Sequence, residues 1–485
     1  MEDSIKHVPP LCVDLDGTLV KTDMFWECFV RMCKTSPWKL FLAPFWLLRG
    51  IAFTKHKFAE SIKIDIARLP YDDEVLAFLK NEAMHAERGI VLCTGSDKSL
   101  ALKISEHLGI FSQVIATDKE VNLTGKNKAE ILRDRYGPKG FDYLGNEQKD
   151  MHIWSESRKV LVATDSSSLI KSVRKKFTAA HVFQRKSSSL MVYFKALRIH
   201  QWVKNLLIFV PWILDHRFFD FQSFFTALLA FVVFGLVASG TYIINDLFDL
   251  DSDRSHTTKR KRAFASGALS IQTGIIAVAV LFTVALAVSL IFLPVTFLFV
   301  ISVYLVCTLL YSFKLKTMPV LDVCILAGLY TLRVIAGTVV IQAEWSFWLL
   351  AFSMFIFLSL ALAKRGSELY NLMQMNRNEA SGRGYSVSDY PLLIGMGVAS
   401  GYISILIVAL YINSEKVLGL YSNPEVLWVV CPVLLYWIGR IWLKTSRGEM
   451  DEDPIVFAIK DRVSWILALV CAVSIYSAYL LARHG

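Results

Sequence analysis

Nine long apolar runs occupy residues 200–485, and they constrain the fold of this chain more than any other feature. Each run approaches the ~20 residues with which an α-helix crosses the hydrocarbon core of a bilayer, although the first is short. The runs cover residues 202–215, 221–244, 271–293, 295–311, 320–342, 345–363, 390–412, 425–443 and 463–482. Residues 1–190 mix polar and apolar positions instead. The sequence therefore predicts a soluble domain followed by an all-α polytopic bundle of nine transmembrane helices.

The loops between the runs differ in charge, which predicts their sides of the membrane. One set, 246–270, 312–319, 364–389 and 444–462, holds 15 Lys and Arg, and the opposite set holds only Arg217 and Lys416. By the positive-inside rule the basic loops face the cytoplasm, so we expect an inner-membrane protein. The first residues lack a charged-then-apolar leader, and eight scattered cysteines form no CxxC pair, so we expect the first domain to be cytosolic. The net charge of +10 then indicates a membrane surface and no nucleic acid.

Four aspartates follow the second run, where hydrocarbon gives way to water. Asp246, Asp249 and Asp253 are spaced i, i+3 and i+7, so one helical face would let them converge on a hard cation. Carboxylates are costly near a membrane and are kept there for a purpose. The basic stretch 259–262 follows at once, which argues against the alternative of a solvated acidic loop. The pattern predicts a cation such as Mg²⁺ that carries a phosphate.

Two further charges lie in the fifth run. Asp322 and Arg333 are eleven residues, or ~16 Å, apart along a helix axis. Asp322 begins the run near the cytosol, where it can serve the metal site. Arg333 is deep, so it needs a partner: a substrate phosphate, a water-filled cavity or, alternatively, a structural ion pair.

The soluble half begins with a short apolar run, 8–13, that leads into Asp14-x-Asp16-Gly-Thr-Leu. Further short apolar runs at 89–93, 112–116, 141–144 and 160–163 alternate with helical stretches, which predicts a doubly wound, Rossmann-type α/β domain over 1–165. Both carboxylates would then lie beyond the carboxyl end of a strand, where such sheets bind ligands.

Two segments interrupt this plan. Residues 36–53 are apolar but carry Pro44, Lys39 and Arg49, so an interfacial element that docks on the membrane is expected, with burial inside the domain as the alternative. Residues 166–194, rich in Ser, Lys and Arg, are expected to form a linker to the membrane domain at 195–485.

The membrane half resembles the UbiA superfamily of intramembrane prenyltransferases. The resemblance is carried by the NDxxDxxxD motif at 245–253, by the stretch 311–316 after the fourth run and by the number of runs. It implies a polyprenyl diphosphate bound through magnesium between two Asp-rich motifs. At the second motif, however, this chain has Lys364, Arg365 and Glu368, which suit direct contact with a phosphate.

Three stretches, 198–205, 259–267 and 453–464, resemble a narrower branch, the polyprenyl-phosphate phosphoribosyltransferases. This resemblance implies that a polyprenyl phosphate attacks C1 of phosphoribosyl pyrophosphate, or a similar diphosphate donor, and that pyrophosphate leaves. The site residues expected are Asp246 and Asp249 as catalytic residues, both with Asp253 as Mg²⁺ ligands, and Lys204, Asn245, Arg260, Arg262, Lys316, Asp322, Arg333, Lys364, Arg365 and Glu368 for substrate binding. The acidic run would hold the magnesium-bound pyrophosphate and the cations the lipid phosphate.

The first domain resembles the haloacid dehalogenase (HAD) phosphatases through its DxDGTL motif. The resemblance implies Asp14 as the phosphate-accepting nucleophile, Asp16 as the acid/base, Thr94 and Lys128 as phosphate ligands, and Asp14, Asp16 and Asp150 around Mg²⁺. Asn146 replaces an acidic residue of the usual last motif, so either a phosphatase or a retained fold with impaired chemistry is expected. A phosphatase would remove the 5-phosphate from the membrane product.

Two other functions compete with this interpretation. A true prenyltransferase would move a polyprenyl group from its diphosphate to an aromatic or other acceptor, but it needs a second acidic motif. A transporter or flippase would hold its acids near the midplane, whereas here they cluster at one membrane face.

Overall fold

The computed structural model describes residues 8–85, 88–185, 189–375, 383–421, 423–450 and 453–483. The chain divides into two compact units. We call Met1–Leu197 with Tyr242–Ala279 the sheet unit, and Arg198–Thr241 with Val280–Gly485 the helical unit. The acidic segment therefore groups with the sheet unit, although it follows a long apolar helix.

Six parallel strands form the sheet. They are β1 Leu11–Val13, β2 Ile90–Asp97, β3 Gln113–Thr117, β4 Asp142–Gly145, β5 Val160–Thr164 and β6 His181–Gln184. Their order in space is β3-β2-β1-β4-β5-β6. The order reverses at β1, which opens a crevice at the carboxyl ends of β1 and β4, the usual place for ligands in such sheets. The predicted parallel sheet is confirmed.

Apolar clusters cover both faces of the sheet. Leu11 and Val13 belong to one cluster and Cys12 to the other, because successive side chains of a strand point to opposite faces. Burial on both sides explains why the strands are continuous apolar runs without alternation.

The sequence predicts a linker over 166–194, but most of this range is folded. It contains a helix, Ser167–Lys176, and the sixth strand, which pairs with β5; residues 186–188 lie outside the described residues. Arg185, directly after β6, donates to the carbonyl oxygens of Gly17 and Thr18 at 2.6 Å each. The basic residues that suggested a solvated linker thus belong to the sheet domain, and one of them holds the loop after β1.

The helices before the long apolar segments are α1 Met24–Thr35, α2 Ala43–Leu48, α3 Ile51–Ser61, α4 Asp73–His85, α5 Lys98–Leu108, α6 Lys126–Tyr136, α7 Met151–Glu156, α8 Ser167–Lys176 and α9 Leu190–Leu197. Those that follow are α10 Val210–Leu214, α11 Phe221–Phe248, α12 Leu250–Ser255, α13 Ile271–Phe292, α14 Val295–Phe313, α15 Leu321–Val340, α16 Phe347–Gln374, α17 Tyr390–Ile412, α18 Glu415–Leu420, α19 Val430–Ser446, α20 Pro454–Lys460 and α21 Arg462–Arg483. Short 3₁₀ helices are Pro37–Leu42, Ile66–Arg68, Gln148–Asp150, Ile199–Phe209, Lys259–Lys261, Leu315–Thr317, Val387–Asp389 and Pro424–Val429.

Seven helical segments of the described chain are long and apolar enough to cross a membrane: Phe221–Phe248, Ile271–Phe292, Val295–Phe313, Leu321–Val340, Phe347–Gln374, Val387–Ile412 and Pro424–Ser446. The predicted count of nine is not confirmed. The first predicted run, 202–215, is divided between a 3₁₀ helix and the short α10. The last yields a shorter apolar helical stretch, Arg462–Ala478.

Close contact between α16, α17 and α19 forms the core of the helical unit. A Cβ on Gly397 would lie 2.0 Å from the Trp442 ring, so only glycine allows this approach. The Trp442 indole N–H donates to Ser359 Oγ at 3.0 Å, and Ser359 donates to the Gly397 carbonyl oxygen at 2.7 Å. This packing fixes the part of α16 that carries the predicted cations.

Candidate functional sites

The first site lies at the carboxyl end of β1 in the sheet unit. Lys128 on α6 donates from Nζ to Asp14 Oδ1 at 2.8 Å and to the Tyr143 hydroxyl at 3.1 Å. Both side chains of the Asp14–Lys128 pair are largely buried. An ammonium group held against the expected nucleophile is also placed to neutralise a phosphate that the nucleophile attacks.

Asp16 faces the other side of the same crevice. Its Oδ2 accepts from Ser96 Oγ at 2.6 Å and, at 3.4 Å, from Thr94 Oγ1. Its Oδ1 accepts from the Met24 backbone N–H at 2.8 Å, at the start of α1. Thr94 and Asp16 therefore meet as the resemblance implied. Ser96 was missed, although it stands only two residues after Thr94.

Both carboxyl groups are poised to exchange a proton near neutral pH. Burial raises the pKa of Asp14 to about 7, with the ammonium of Lys128 opposing and the charges of Asp150 and Asp16 adding to the effect. Burial likewise raises the pKa of Asp16 to about 6, with Asp23 adding and the Ser96 hydrogen bond opposing. Perturbed carboxyl groups in a crevice are typical of a functional site.

The last motif of this site is held together by Asp150. Its Oδ2 accepts from the backbone N–H groups of Asn146 and Glu147 at 2.9 and 3.0 Å, and its Oδ1 accepts from the Tyr143 hydroxyl at 3.3 Å. Asn146 Oδ1 accepts from Thr18 Oγ1 at 3.2 Å. The amide that replaces a carboxylate therefore ties β4 to the loop after β1.

Gly17 is required at this junction. Its φ of +68° lies in the left-handed region, and an added Cβ would lie 2.1 Å from Asn146 Nδ2. The glycine of the DxDGTL motif thus allows the Asn146 side chain to enter the crevice.

The second site is the acidic segment after α11. Its aspartates do not lie on one continuous helix: α11 ends at Phe248, Asp249 is the residue between, and α12 begins at Leu250. The expectation of a single face at i, i+3 and i+7 is therefore wrong. The Asp249 backbone N–H still donates to the Asn245 carbonyl oxygen at 2.9 Å, and the Asp253 N–H donates to the Asp249 carbonyl oxygen at 2.7 Å, so helical hydrogen bonds continue across the break.

Asp246 and Asp253 nevertheless both contact the guanidinium group of Arg262. Arg262 Nη1 lies 3.1 Å from Asp246 Oδ1 and 2.9 Å from Asp253 Oδ2. Burial raises the pKa of Asp253 despite the opposing charge of Arg262. Asp249 instead lies 3.4 Å from Lys34 Nζ on α1. Arg260 is exposed in the 3₁₀ helix Lys259–Lys261.

The convergence of two carboxylates on one positive group is a suitable start for a divalent-ion site, since hard cations take oxygen ligands. Across the described parts of the chain, the structure shows no group of three or more His, Cys, Asp or Glu that could hold a metal ion. The protein would therefore supply Asp246 and Asp253, and the remaining oxygens would come from a phosphate substrate and water, as Mg²⁺ commonly arranges.

The acidic segment also contacts α1 through a buried ionic network. Glu27 accepts from Arg31 and, at 2.6 Å, from Arg254 Nη2, while Arg31 Nη2 lies 2.5 Å from Asp251 Oδ1. Burial would raise the pKa of Glu27, but Arg254 and Arg31 outweigh it and lower this pKa to about 2. No sequence pattern indicated this network, because its two halves, Glu27 with Arg31 and Asp251 with Arg254, are more than 200 residues apart.

The third site lies in the helical unit around Arg365 of α16. Its Nε donates to Asp322 Oδ2 at 2.6 Å, its Nη1 to Glu368 Oε2 at 2.5 Å and its Nη2 to the Tyr311 hydroxyl at 2.8 Å. Asp322 and Arg365 are almost wholly buried. All three guanidinium nitrogens thus donate to protein groups. Arg365 therefore holds the site together, whereas the sequence predicted that it contacts a phosphate directly.

Tyrosines missed from the sequence complete this arrangement. Tyr385 donates from its hydroxyl to Asp322 Oδ1 at 2.6 Å. Arg383 Nη1 donates to the Tyr311 hydroxyl at 3.2 Å, and its Nε lies 3.5 Å from Glu368. Tyr311 opens the stretch 311–316 on which the family resemblance was based, so its position could have been inferred. Lys316 of that stretch lies in the 3₁₀ helix Leu315–Thr317.

Two of the expected cations share one carboxylate. Asp453 Oδ2 accepts from Lys204 Nζ and lies 3.4 Å from Lys364 Nζ. Burial would raise the pKa of Asp453, but Lys204 and Lys364 outweigh it and lower this pKa to about 2. Lys204, Lys364 and Asp453 thus form one charged group, in which Lys204 and Asp453 are largely buried and Lys364 is partly exposed.

Arg333 is buried in α15 with aromatic and amide partners. It donates to Asn205 Oδ1 at 2.9 Å, to the Leu329 carbonyl oxygen at 2.5 Å and to the Tyr304 hydroxyl at 3.2 Å. Among the described residues no carboxylate pairs with it, so the alternative of a structural ion pair is not observed. The Asn205 Nδ2 group is buried and meets no acceptor in the described part of the chain. Arg333 has only hydrogen-bond donors, so it must contact the amide oxygen of Asn205. The Nδ2 group of Asn205 is therefore directed away from Arg333.

Comparisons with known proteins agree with this architecture. A model of the UbiA prenyltransferase family matches residues 207–467. An uncharacterized protein of Sinorhizobium fredii, y4nM, is 37% identical over 476 residues, which cover 98% of this chain and 91% of that protein. The decaprenyl-phosphate phosphoribosyltransferase of Mycolicibacterium smegmatis is 36% identical over 283 residues, which cover 57% of this chain and 88% of that enzyme.

A solved structure of a UbiA homologue from Archaeoglobus fulgidus, bound to GPP and Mg²⁺, is 16% identical to this chain with a TM-score of 0.44. The match covers 60% of this chain and 99% of that one. The matched family model spans more than half of the sequence and contains all seven apolar spans of the described chain. The chain is a multi-pass membrane protein and belongs to the UbiA prenyltransferase family.

Proposed function

We propose that this protein transfers a 5-phosphoribosyl group from phosphoribosyl pyrophosphate to a polyprenyl phosphate. The observation that carries the proposal is the cationic character of the second motif, where Lys364 and Arg365 stand with Glu368 in place of a pair of aspartates. A lipid diphosphate bound through magnesium would need more carboxylates there. A lipid monophosphate needs cations, and the M. smegmatis relative is named for transfer to such a lipid.

The acceptor phosphate is assigned to the group formed by Lys204, Lys364 and Asp453. An arriving phosphate can take the two ammonium groups from Asp453, because it offers more acceptor oxygens and more charge. The buried Asn205 N–H group, adjacent in sequence to Lys204, is a further donor that meets no acceptor among the described residues. Arg333 orients this amide and adds positive potential.

The donor is assigned to the acidic segment. Asp246 and Asp253 would hold a Mg²⁺ ion, whose charge would stabilise the leaving pyrophosphate. Arg262 then turns from the carboxylates to the donor's phosphates, together with Arg260 two residues before it and Asn245 next to Asp246. Asp249 remains a candidate ligand once its contact with Lys34 opens.

The reaction needs no general base. A lipid phosphate oxygen, already anionic, forms the new bond to C1 of the ribose while the bond from C1 to pyrophosphate breaks. The protein therefore contributes position and charge, and it offsets the repulsion between two polyanions. By the distribution of Lys and Arg among the loops, we place this site on the cytoplasmic side of the inner membrane.

The sheet unit is proposed to be a HAD-type phosphatase that removes the 5-phosphate from the lipid product. Asp14 attacks the phosphorus and the bond to the sugar oxygen breaks, while Asp16, protonated, donates its proton to that oxygen. Lys128, Thr94 and Mg²⁺ near Asp14 and Asp150 would neutralise the phosphate. Water then releases inorganic phosphate from Asp14.

A radiochemical assay tests the transferase. Purified full-length protein in lipid nanodiscs should convert ¹⁴C-labelled phosphoribosyl pyrophosphate and decaprenyl phosphate into a labelled lipid, and Asp246→Asn should reduce the rate at least about a hundredfold. Absence of labelled lipid, together with prenylation of an aromatic acid from a prenyl diphosphate, would overturn the proposal in favour of prenyl transfer.

The phosphatase is tested separately on chemically prepared phosphoribosyl lipid. The intact protein should release inorganic phosphate, and Asp14→Asn should release none while retaining transferase activity. Equal release by the two proteins would contradict the assignment of Asp14.

A further inference from the structure

The segment 37–51 of the sheet unit exposes more apolar surface than its fold can use. It contains the 3₁₀ helix Pro37–Leu42 and α2, and neither has a buried residue. Phe41, in the 3₁₀ helix, is 81% exposed. Leu48, in α2, is 86% exposed, and Phe45 of the same helix is also exposed. A soluble domain rarely presents such a patch unless something covers it.

A different face of the same segment already holds it to the domain. Leu40, Ala43 and Trp46 pack against the apolar cluster beneath the sheet, and the Trp46 ring lies 5.7 Å from the Phe58 ring on α3. The segment is thus apolar on both faces, with one face buried and the other open.

The charge around this segment indicates what covers it. Between Glu27 and Glu60 the sequence has no Asp or Glu and has six Lys or Arg. Arg31 is occupied by its buried ion pairs, but Lys39 and Arg49 flank the apolar side chains and remain partly or fully exposed. Apolar side chains with basic residues beside them suit the headgroup region of an anionic bilayer.

The segment also begins close to the end of a membrane span. Lys34, three residues before Pro37, donates from Nζ to the carbonyl oxygen of Phe248 at 2.6 Å. Phe248 is the last residue of α11, one of the seven helices able to cross a membrane. The bilayer surface is therefore the apolar phase nearest to the segment.

We propose that residues 37–51 insert Phe41, Phe45 and Leu48 into the bilayer surface, with Lys39 and Arg49 on anionic phospholipid headgroups. The insertion holds the carboxylate site of the sheet unit at the lipid surface. This second part rests on the proposed phosphatase function, since it makes the substrate a membrane lipid.

A photo-crosslinking experiment tests the insertion. p-Benzoylphenylalanine replaces Phe41 or Phe45 in the full-length protein, in nanodiscs of phosphatidylcholine with about 30% phosphatidylglycerol. Matched controls carry the same residue at Met84 or Leu102, which are exposed on α4 and α5. Lipid adducts measured by mass spectrometry should be at least about fivefold more abundant at positions 41 and 45. Equal yields, or crosslinks from these positions to a second copy of the protein, would overturn the proposal.

Two variants test the headgroup contacts and the consequence. Lys39→Gln with Arg49→Gln should abolish the preference of these adducts for phosphatidylglycerol, and an unchanged preference contradicts the headgroup assignment. Phe41→Glu with Phe45→Glu should slow phosphate release from the phosphoribosyl lipid at least about fivefold without changing release from p-nitrophenyl phosphate. Equal slowing of both substrates would contradict positioning at the surface. Failure of the phosphatase proposal itself would appear as no release from either substrate, with the crosslinks unaffected.

Discussion

Arg31 Nη2 lies 2.5 Å from Asp251 Oδ1 and thereby joins α1 of the sheet domain to the acidic segment that follows α11. The same helix begins at Met24, whose backbone N–H donates a hydrogen bond to Asp16 Oδ1. One helix of twelve residues therefore contacts Asp16 of the expected phosphatase and, through Lys34, Asp249 of the segment expected to bind the phosphoribosyl donor. A change within α1 should affect the two activities together.

Glu27→Gln should weaken this connection and change the acid stability of the protein. The folded-state pKa of Glu27 is lowered to about 2, so its ion pairs stabilise the fold above the ordinary pKa near 4.5 and lose that contribution as the pH falls toward 2. The shift corresponds to about 3 kcal/mol at neutral pH. The variant should melt at a lower temperature at pH 7, and its melting temperature should fall less steeply between pH 5 and pH 3, measured by scanning fluorimetry in detergent. Parallel pH profiles for both proteins would contradict this assignment.

Asp246→Asn and Asp253→Asn should raise the Mg²⁺ concentration needed for half-maximal lipid labelling at least about tenfold, because each removes one of the carboxylates that converge on Arg262. Asp251→Asn is the matched control: it removes the same charge from the same segment, but its side chain is 49% exposed and directed to Arg31. If all three variants show the same Mg²⁺ requirement, the general negative charge of the segment matters and no specific ligand pair exists.

The break between α11 and α12 at Asp249 explains why the arrangement of the three aspartates could be predicted only in part. The stretch from Asn245 to Asp253 contains no Gly or Pro, so the sequence gives no sign that α11 ends at Phe248. Spacing therefore suggested three aspartates on one face. The structure pairs two of them through Arg262 and directs the third to α1, a contact across more than 200 residues that no local pattern encodes.

Other parts were accessible from the sequence because they depend on local physics. Five of the six strands are short apolar runs between helical stretches, and the sixth was hidden by its polar surroundings near Arg185. Arg333 was recognised by its cost in a membrane, and Lys364 and Arg365 by their place at the second motif of the family. Their partners were not, since the bonds of Arg365 to Asp322 and Tyr311 depend on how separate helices pack.

Arg365→Met should destabilise the helical unit by about 3–5 kcal/mol, because it leaves Asp322 buried with an uncompensated charge. Adding Asp322→Asn to this variant should recover part of the loss, since an amide keeps an acceptor for Tyr385 without the charge. The measurement is the yield of monodisperse protein and its apparent melting temperature. A double variant that is no more stable than Arg365→Met would show that the two side chains do not act as a pair.

Lys364→Met should raise the KM for decaprenyl phosphate about tenfold with a smaller effect on kcat, because it removes one ammonium group from the acceptor phosphate. The KM for phosphoribosyl pyrophosphate should remain unchanged. Lys444→Met is the control, since Lys444 pairs with Glu449 at the protein surface and lies outside the proposed site. A larger effect on the KM of the sugar donor would exchange the roles assigned to the two substrates.

Asn146→Asp should strengthen metal binding in the sheet domain. The carboxylate keeps an acceptor oxygen for Thr18 and adds a negative charge beside Gly17, so the Mg²⁺ concentration for half-maximal phosphate release should fall about tenfold. Without Mg²⁺ the added charge should raise the pKa of Asp14 further, as measured by titration of the carboxyl group. Gln148→Glu adds the same charge two residues away on an exposed position and should change neither value. An Asn146→Asp enzyme with an unaltered Mg²⁺ requirement would mean that this residue serves only to tie β4 to the loop after β1.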